Sequence, residues 1–256
     1  MAMLEQAMTD APIWLIALLF FLALLLASWL GRRLRERIDK GPERSGSDGH
    51  LLSASLALLG LLLGFTFSLA LGRYDARREA VVAEGNAIGT AWLRATLAPG
   101  PQGAALRDTL KGYADLRLRL SDTQERDAIE AETTKAQALV WRRVQAALPA
   151  MPPPIGATLV TATSEMFDAA ASRKAERMAR LPASVLDMVS LFALLSAGIV
   201  GYVLGREEDR RHRVITTVLF VLLTLTLALI LDLDRPWSGS IQLSPQPIID
   251  ARAAMN

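Results

Sequence analysis

LLSASLALLGLLLGFTFSLALG, residues 51–72, continues into RYDARREAVVAEGNAIGTAWLRATL, residues 73–97. The first part carries no charge and is long enough to cross a bilayer, which takes about 20 residues of helix. No proline interrupts the passage into the second part, and proline is the strongest helix breaker. The stretch therefore predicts one long helix, its first part in lipid and its second part in water. Gly60, Gly64, Ser68 and Gly72 recur at every fourth position. Residues four apart stack on one helix face, so this row is a small-xxx-small packing face where another helix can come close. Small residues are common in membrane helices, but four in register are more than one pair.

The chain around this stretch has the same character. It holds 256 residues, 52% of them hydrophobic and only 6% aromatic. Mean hydropathy is +0.28, too apolar for an ordinary soluble domain. Net charge is +2, and there is no cysteine, which excludes disulfides, thiolate metal sites and a cysteine nucleophile. Residues 1–12 contain no Lys or Arg, so the positive start of a secretory signal is missing. Residues 13–30 predict a first span, with Trp14 and Trp29 near its ends, where indole rings favour the headgroup level. Residues 31–50 carry Arg32, Arg33, Arg35, Arg37, Lys40 and Arg44. This run reads as a solvated loop beside a membrane span, and no nucleic-acid partner is expected.

After the second span, residues 73–183 are the only sizeable water-soluble region, and they read as helices. Val81, Ile88, Trp92 and Ala95 mark one apolar stripe, ended by Pro99-Gly100-Pro101. Leu106, Leu110, Tyr113 and Leu120 mark a second, interrupted by Arg117. Ile129, Ala136, Leu139, Val140 and Val144 mark a third, and Leu159, Thr163, Met166, Phe167 and Ala170 a fourth. Amphipathic helices of this kind pack into a bundle. A third span covers 184–204, with Ala193, Ala197, Gly201 and Gly205 repeating the every-fourth small row, so that the two rows are expected to pack on each other or across subunits. A fourth span covers 214–231, and residues 232–256 form a tail. The expected fold is all-α: four transmembrane helices, with a helical extramembrane domain inserted between the second and third. The divisions are 1–72, 73–183, 184–231 and 232–256.

Little in this chain points to chemistry. His50 and His212 flank basic loops, and no His/Glu cluster has metal-ligand spacing. No nucleophile elbow, phosphate loop or dinucleotide fingerprint is present. No cofactor, metal or catalytic residue is therefore expected, and an enzyme is disfavoured. Asp232 and Asp234 could hold a hard cation with Glu79 or Glu84, but such a site needs several converging oxygens. Pairing with arginine is favoured, and we expect Asp232 or Asp234 to pair with one of Arg73, Arg77 and Arg78. The only Asp, Glu, His, Lys or Arg in any span is Asp187, near the start of the third. Ion-coupled transporters and pumps use intramembrane carboxylates and histidines, so their mechanisms are disfavoured and passive conduction stays open. Ser53, Ser55, Thr66, Ser68, Thr216, Thr217, Thr224 and Thr226 could line a pore, but interhelical hydrogen bonding is the favoured use.

Loop charge sets an expected topology. Arg206, Arg210, Arg211 and Arg213 add to the six cations of the 31–50 loop, whereas the first twelve residues have none. Positive loops stay inside, so 31–50 and 206–213 should be cytoplasmic, with both termini and the 73–183 domain outside.

Three passages carry a resemblance to a known family: residues 60–97, GYADLRLRL at 112–120, and LDLDRPWSGSIQLSPQPIIDA at 231–251. They resemble the hallmark segments of the bacterial bestrophin-like domain family, from about Leu51 onward. The matching positions include Phe65, Phe67, Arg73, Asp75, Arg77, Arg78, Glu84, Asn86, Ala87, Gly89, Arg94, Asp232, Asp234, Arg235, Pro236 and Pro247. The resemblance implies a multi-pass protein of the bacterial inner membrane, without an established common activity. The family's name rests on remote similarity to bestrophins, which are oligomeric anion channels. By that analogy Phe65 and Phe67 are candidates for a pore constriction, and Arg73, Arg77 and Arg78 for a pore mouth. Two readings follow: a homo-oligomeric channel for small anions with residues 51–72 lining the pore, or a non-conducting membrane protein whose helical domain binds a partner or supports an assembly. The lipid bilayer is a partner in both. Strict analogy with bestrophins would place the large domain in the cytoplasm, opposite to the loop-charge argument.

Overall fold

The computed structural model describes residues 11–38, 47–122, 126–204, 210–235 and 241–255. Among them there is no strand. The helices are α1 (Ile13–Ile38), α2 (Ser47–Ala95), α3 (Gly100–Asp122), α4 (Arg126–Ala147), α5 (Pro153–Met178), α6 (Ala183–Leu204), α7 (Arg210–Asp234) and α8 (Gln246–Ala253), with a short 3-10 turn over Leu148–Ala150. Four stretches are long and apolar enough to cross a membrane: Ile13–Ile38, Gly49–Ala95, Pro153–Leu204 and Arg210–Asp234. The chain divides into two compact units.

The first unit comprises Met1–Tyr74 and Arg180–Gln242. Its core gathers Leu24 of α1, Leu59, Leu63 and Ala70 of α2, Val189, Ala193, Ala197 and Val200 of α6, and Phe220 and Ile230 of α7. Small residues set the closest approach. A Cβ placed on Gly201 would run into the backbone of Ser28, and one on Gly31 into the backbone of Gly198. The small row of α6 therefore meets α1. The outward sides are apolar as well: Leu18, Leu22 and Leu26 on α1, and Ile215, Val218, Leu222, Leu225 and Leu229 on α7, are exposed. Exposed leucines at helical spacing on long apolar helices are what lipid-facing surfaces require. Arg35 closes α6 from the side, its Nη1 donating to Tyr202 O and Val203 O at 2.8 Å each. A cation there satisfies carbonyls that lack helical partners.

The second unit comprises Asp75–Ala179 and Leu243–Asn256. All four residues of the Val81 stripe are buried, against Leu106, Leu110 and Tyr113 of α3, Val140 and Val144 of α4, and Leu159 and Met166 of α5. Ile248, Ala251 and Met255 complete the same core, so the last part of the tail belongs to this unit. Leu139, expected on the α4 stripe, is 38% exposed. α2 ends at Ala95, and α3 opens on Gly100, whose φ of +69 is a left-handed conformation that favours glycine. Arg107 Nη1 lies 3.5 and 3.3 Å from Ala95 O and Ala98 O at that terminus. α5 starts on Pro153, where a missing N–H costs nothing. Gly85 lets Pro247 come against α2, since a Cβ there would lie 2.7 Å from Pro247 O.

Candidate functional site

The most informative surface of the first unit is the outer face of α2. Leu59, Leu63, Thr66 and Ala70 are buried, while Gly60, Leu61, Gly64, Phe65, Ser68, Leu69 and Gly72 are exposed. The two sets alternate at helical spacing, so one side of the helix packs inward and the other is uncovered. Gly60, Gly64 and Gly72 have nothing within 4 Å of an added Cβ. Thr66 bonds its own helix at Leu62 O, 2.8 Å away. The two phenylalanines part company here. Two residues in a helix are separated by about 200°, so they cannot share a face. Phe65 is 61% exposed on the open side, and Phe67 packs partly buried against the core. Thr224 Oγ1 and Ser196 Oγ are buried with no hydrogen-bond partner among the described residues.

The arginines expected near the end of this span also divide. Arg73 and Arg78 are exposed, whereas Arg77 is 3% exposed. Arg77 Nη2 donates to Ala179 O at 2.8 Å and its Nε to Glu176 O at 3.3 Å, which satisfies carbonyls at the end of α5. Asp75 and Glu79 are exposed. Asp232, Asp234 and Arg235 are all buried. Asp234 Oδ1 accepts the Leu181 N–H at 2.8 Å, and Arg235 Nη1 donates to Ala11 O at 2.6 Å. Of the other motif positions, Asn86 is exposed, Gly89 and Arg94 are half-buried, and Arg94 shares a shallow depression with Glu165. Gly205 and Pro236 lie outside the described residues.

Glu84 is the centre of a buried charge network in the second unit. Its side chain is fully buried. Oε1 accepts from Arg117 Nε of α3, and Oε2 accepts from Arg173 Nη1 of α5 at 2.7 Å. Arg117 Nη1 reaches Thr133 Oγ1 at 3.4 Å and stands 4.0 Å from Glu130 of α4. Glu130 pairs in turn with Arg177, and with Lys174 at 3.7 Å. The network thus joins α2, α3, α4 and α5. Burial pulls the Arg117 guanidinium down, but the Glu84 carboxylate outweighs it and holds the net shift above the ordinary value. Burial lowers Arg173 too, and there Glu84 does not fully offset it. Burial pushes Glu130 up, but its bond and charge interaction with Arg177 leave it below the usual carboxylate range. Tyr113, beside this network, is pushed by burial to about 12.

The sequence points to Glu84 as a family motif position and a possible cation ligand beside Asp232 and Asp234, but not to Arg117 and Arg173 as its partners. Two signals were present. Arg117 interrupts the apolar stripe of Leu106, Leu110, Tyr113 and Leu120, and Arg173 follows Met166 and Ala170 at helical spacing. A charge on a core-facing stripe needs a buried counter-charge. Among the described residues no group of three His, Asp or Glu could hold a metal ion.

A family model of the Bestrophin-like domain matches residues 18–248, beginning well before the three motif passages. A bacterial bestrophin homologue from Klebsiella pneumoniae, solved by zinc phasing, is similar at 12% identity and TM-score 0.67, over 93% of this chain and 94% of that one. A single-residue variant of the bacterial bestrophin homologue from that organism is similar at 12% identity and TM-score 0.70, over 96% of this chain and 98% of that one. At this identity the likeness establishes the fold. Among curated proteins nothing matches the chain.

Proposed function

Because the chain belongs to the Bestrophin-like domain family, we propose that it is a membrane channel that passes small anions passively, assembled from several copies with residues 51–72 lining the path. The uncovered face of α2 carries this reading. A membrane helix whose inner side packs on its own unit, and whose other side presents Gly60, Gly64, Ser68 and Gly72 with nothing against the glycines, is built to meet further copies around an axis. Phe65 supplies the constriction, since it stands on that face while Phe67 packs inward. Apolar rings of this kind gate by dewetting.

Arg73 and Arg78 are the exposed cations of the mouth, with Asp75 and Glu79 among them. The mouth therefore offers mixed charge, and selectivity for anions rests on Arg73 and Arg78 outweighing their neighbours. Passive flow fits the four spans, which carry Asp187 alone among Asp, Glu, His, Lys and Arg. We place the protein in the bacterial inner membrane, with the 31–50 and 206–213 loops in the cytoplasm and the 73–183 region outside. A reporter fused after Asn256 should then be silent in the cytoplasm.

The test is flux. Purified protein in liposomes should pass chloride, and Phe65→Ala should raise the flux. Arg73→Gln with Arg78→Gln should lower anion flux and weaken preference over cations. An oligomer silent to small anions, with Phe65→Ala equally silent, would falsify conduction and leave the partner-binding reading.

A further inference from the structure

We infer that the cavity between the basic ends of α1, α6 and α7 holds the phosphate of an anionic phospholipid. The cavity has a volume of about 140 Å³, several times the roughly 30 Å³ that one liquid water occupies. That is the scale of a small oxyanion, so a headgroup enters and the acyl chains stay outside. Arg32, His212, Arg213 and Thr216 line it, together with the apolar side chains of Leu25 and Phe220. Among the described residues no carboxylate lines it. Its chemistry is therefore two guanidiniums, an imidazole and the hydroxyls of Ser28, Thr216 and Thr217 beside an apolar wall, a set that recognises a phosphate at the end of something oily.

The position in the chain agrees. Arg32 follows the apolar run of α1, and Arg213 precedes the apolar run of α7. Val200 and Leu204, at the end of α6, line the same cavity. All three helices thus contribute the ends that border one membrane edge. The neighbouring α1 arginines are engaged elsewhere. Arg33 stacks over Trp29 at 5.1 Å and lies 3.8 Å from Glu36, and Arg35 holds the α6 carbonyls. Arg32 is the α1 arginine that reaches the cavity. Basic pockets between membrane helices are where anionic headgroups bind, and a free phosphate would have no use for Leu25 and Phe220.

The experiment measures binding of short-chain phosphatidylglycerol to the purified full chain in neutral detergent, by native mass spectrometry and by thermal shift. Phosphatidylcholine of the same chain length and inorganic phosphate run beside it. Phosphatidylglycerol should bind and raise the unfolding midpoint, and the other two should not. Arg32→Gln with Arg213→Gln should weaken binding about 25-fold, at about fivefold for each cation lost near an anionic headgroup. Arg33→Gln with Arg37→Gln removes the same charge from the same region, and should weaken binding clearly less than the first pair does because neither side chain lines the cavity. If the double variant does not fold, the exposed Arg32→Gln alone should show the fivefold loss. Equal binding of the two lipids, equal losses from the two double variants, or full reproduction of the shift by inorganic phosphate would each overturn the assignment.

Discussion

Replacing Glu84 by glutamine keeps the shape of the side chain and removes its charge. In the native protein each carboxylate oxygen accepts from a different buried arginine, Arg117 and Arg173. The amide offers one acceptor and one donor, so one guanidinium faces an N–H and both lose their counter-charge. Two routes give the size of the loss. Removing one partner from a buried ion pair costs about 3–5 kcal/mol. Two hydrogen bonds to a charged group, at about 1.5–3 kcal/mol each, give about 3–6 kcal/mol. With about 2–4 °C of midpoint per kcal/mol for a chain of this size, Glu84→Gln should lower the unfolding temperature by about 6–20 °C. Intrinsic fluorescence in detergent reads it, since Trp92 is buried in the same unit. The internal control is Glu132→Gln, which breaks an exposed pair with Arg119 at 3.3 Å and should cost below about 1 kcal/mol. A Glu84→Gln loss no larger than that of Glu132→Gln would refute the view that this carboxylate holds two buried cations.

Three further outcomes follow from the geometry. Gly201→Ala should destabilise the protein by about 1–3 kcal/mol, the usual cost of overpacking, because its Cβ would meet the Ser28 backbone, whereas Gly112→Ala should not destabilise it because nothing lies near that exposed glycine; paired thermal melts check both. Tyr113 has its pKa raised from 10.0 to about 12; its contribution is complete below pH 10 and is lost as pH rises toward 12, up to about 3 kcal/mol, so Tyr113→Phe should flatten the alkaline arm of the stability–pH curve. Asp234→Ala leaves the buried Leu181 N–H without its acceptor and should cost about 1–3 kcal/mol; the expected pairing of Asp232 or Asp234 with one of Arg73, Arg77 and Arg78 is tested by double-mutant cycles over that set, where strict additivity throughout would count against it.

The spans were legible because a bilayer demands a continuous apolar run, and residues 13–30, 51–72 and 214–231 supply one each. The bundle helices were legible because Val81, Ile88, Trp92 and Ala95 repeat with the period of the face they bury. Less legible was which face of α2 stays open. Helical spacing puts Phe65 and Phe67 on different sides, but which side stays open depends on the packing of the neighbouring helices. The Glu84 network was half visible. A buried cation leaves a mark on a helical stripe, as Arg117 does, but the identity of its partner depends on how helices far apart in sequence are brought together. The small row of α6 was visible too, but its meeting with the backbone of α1 depends on tertiary packing.

The second unit takes its core from two distant parts of the chain. Val81 and Ile88 lie at one end of it, and Ile248 and Met255, both fully buried, at the other. At synthesis rates of about 5–20 residues per second, Glu84 waits roughly 5–20 s for Arg173, and Ile88 waits about 8–30 s for Ile248. Between Arg173 and Ile248 the ribosome delivers α6 and α7, which belong to the other unit. The apolar core around Val81 and Ile88 must therefore remain without Ile248 and Met255 while α6 and α7 are still being delivered. Closure of this core waits for residues that follow α7, and a nascent chain stalled in α7 would present an unfinished core to the chaperones and proteases around it.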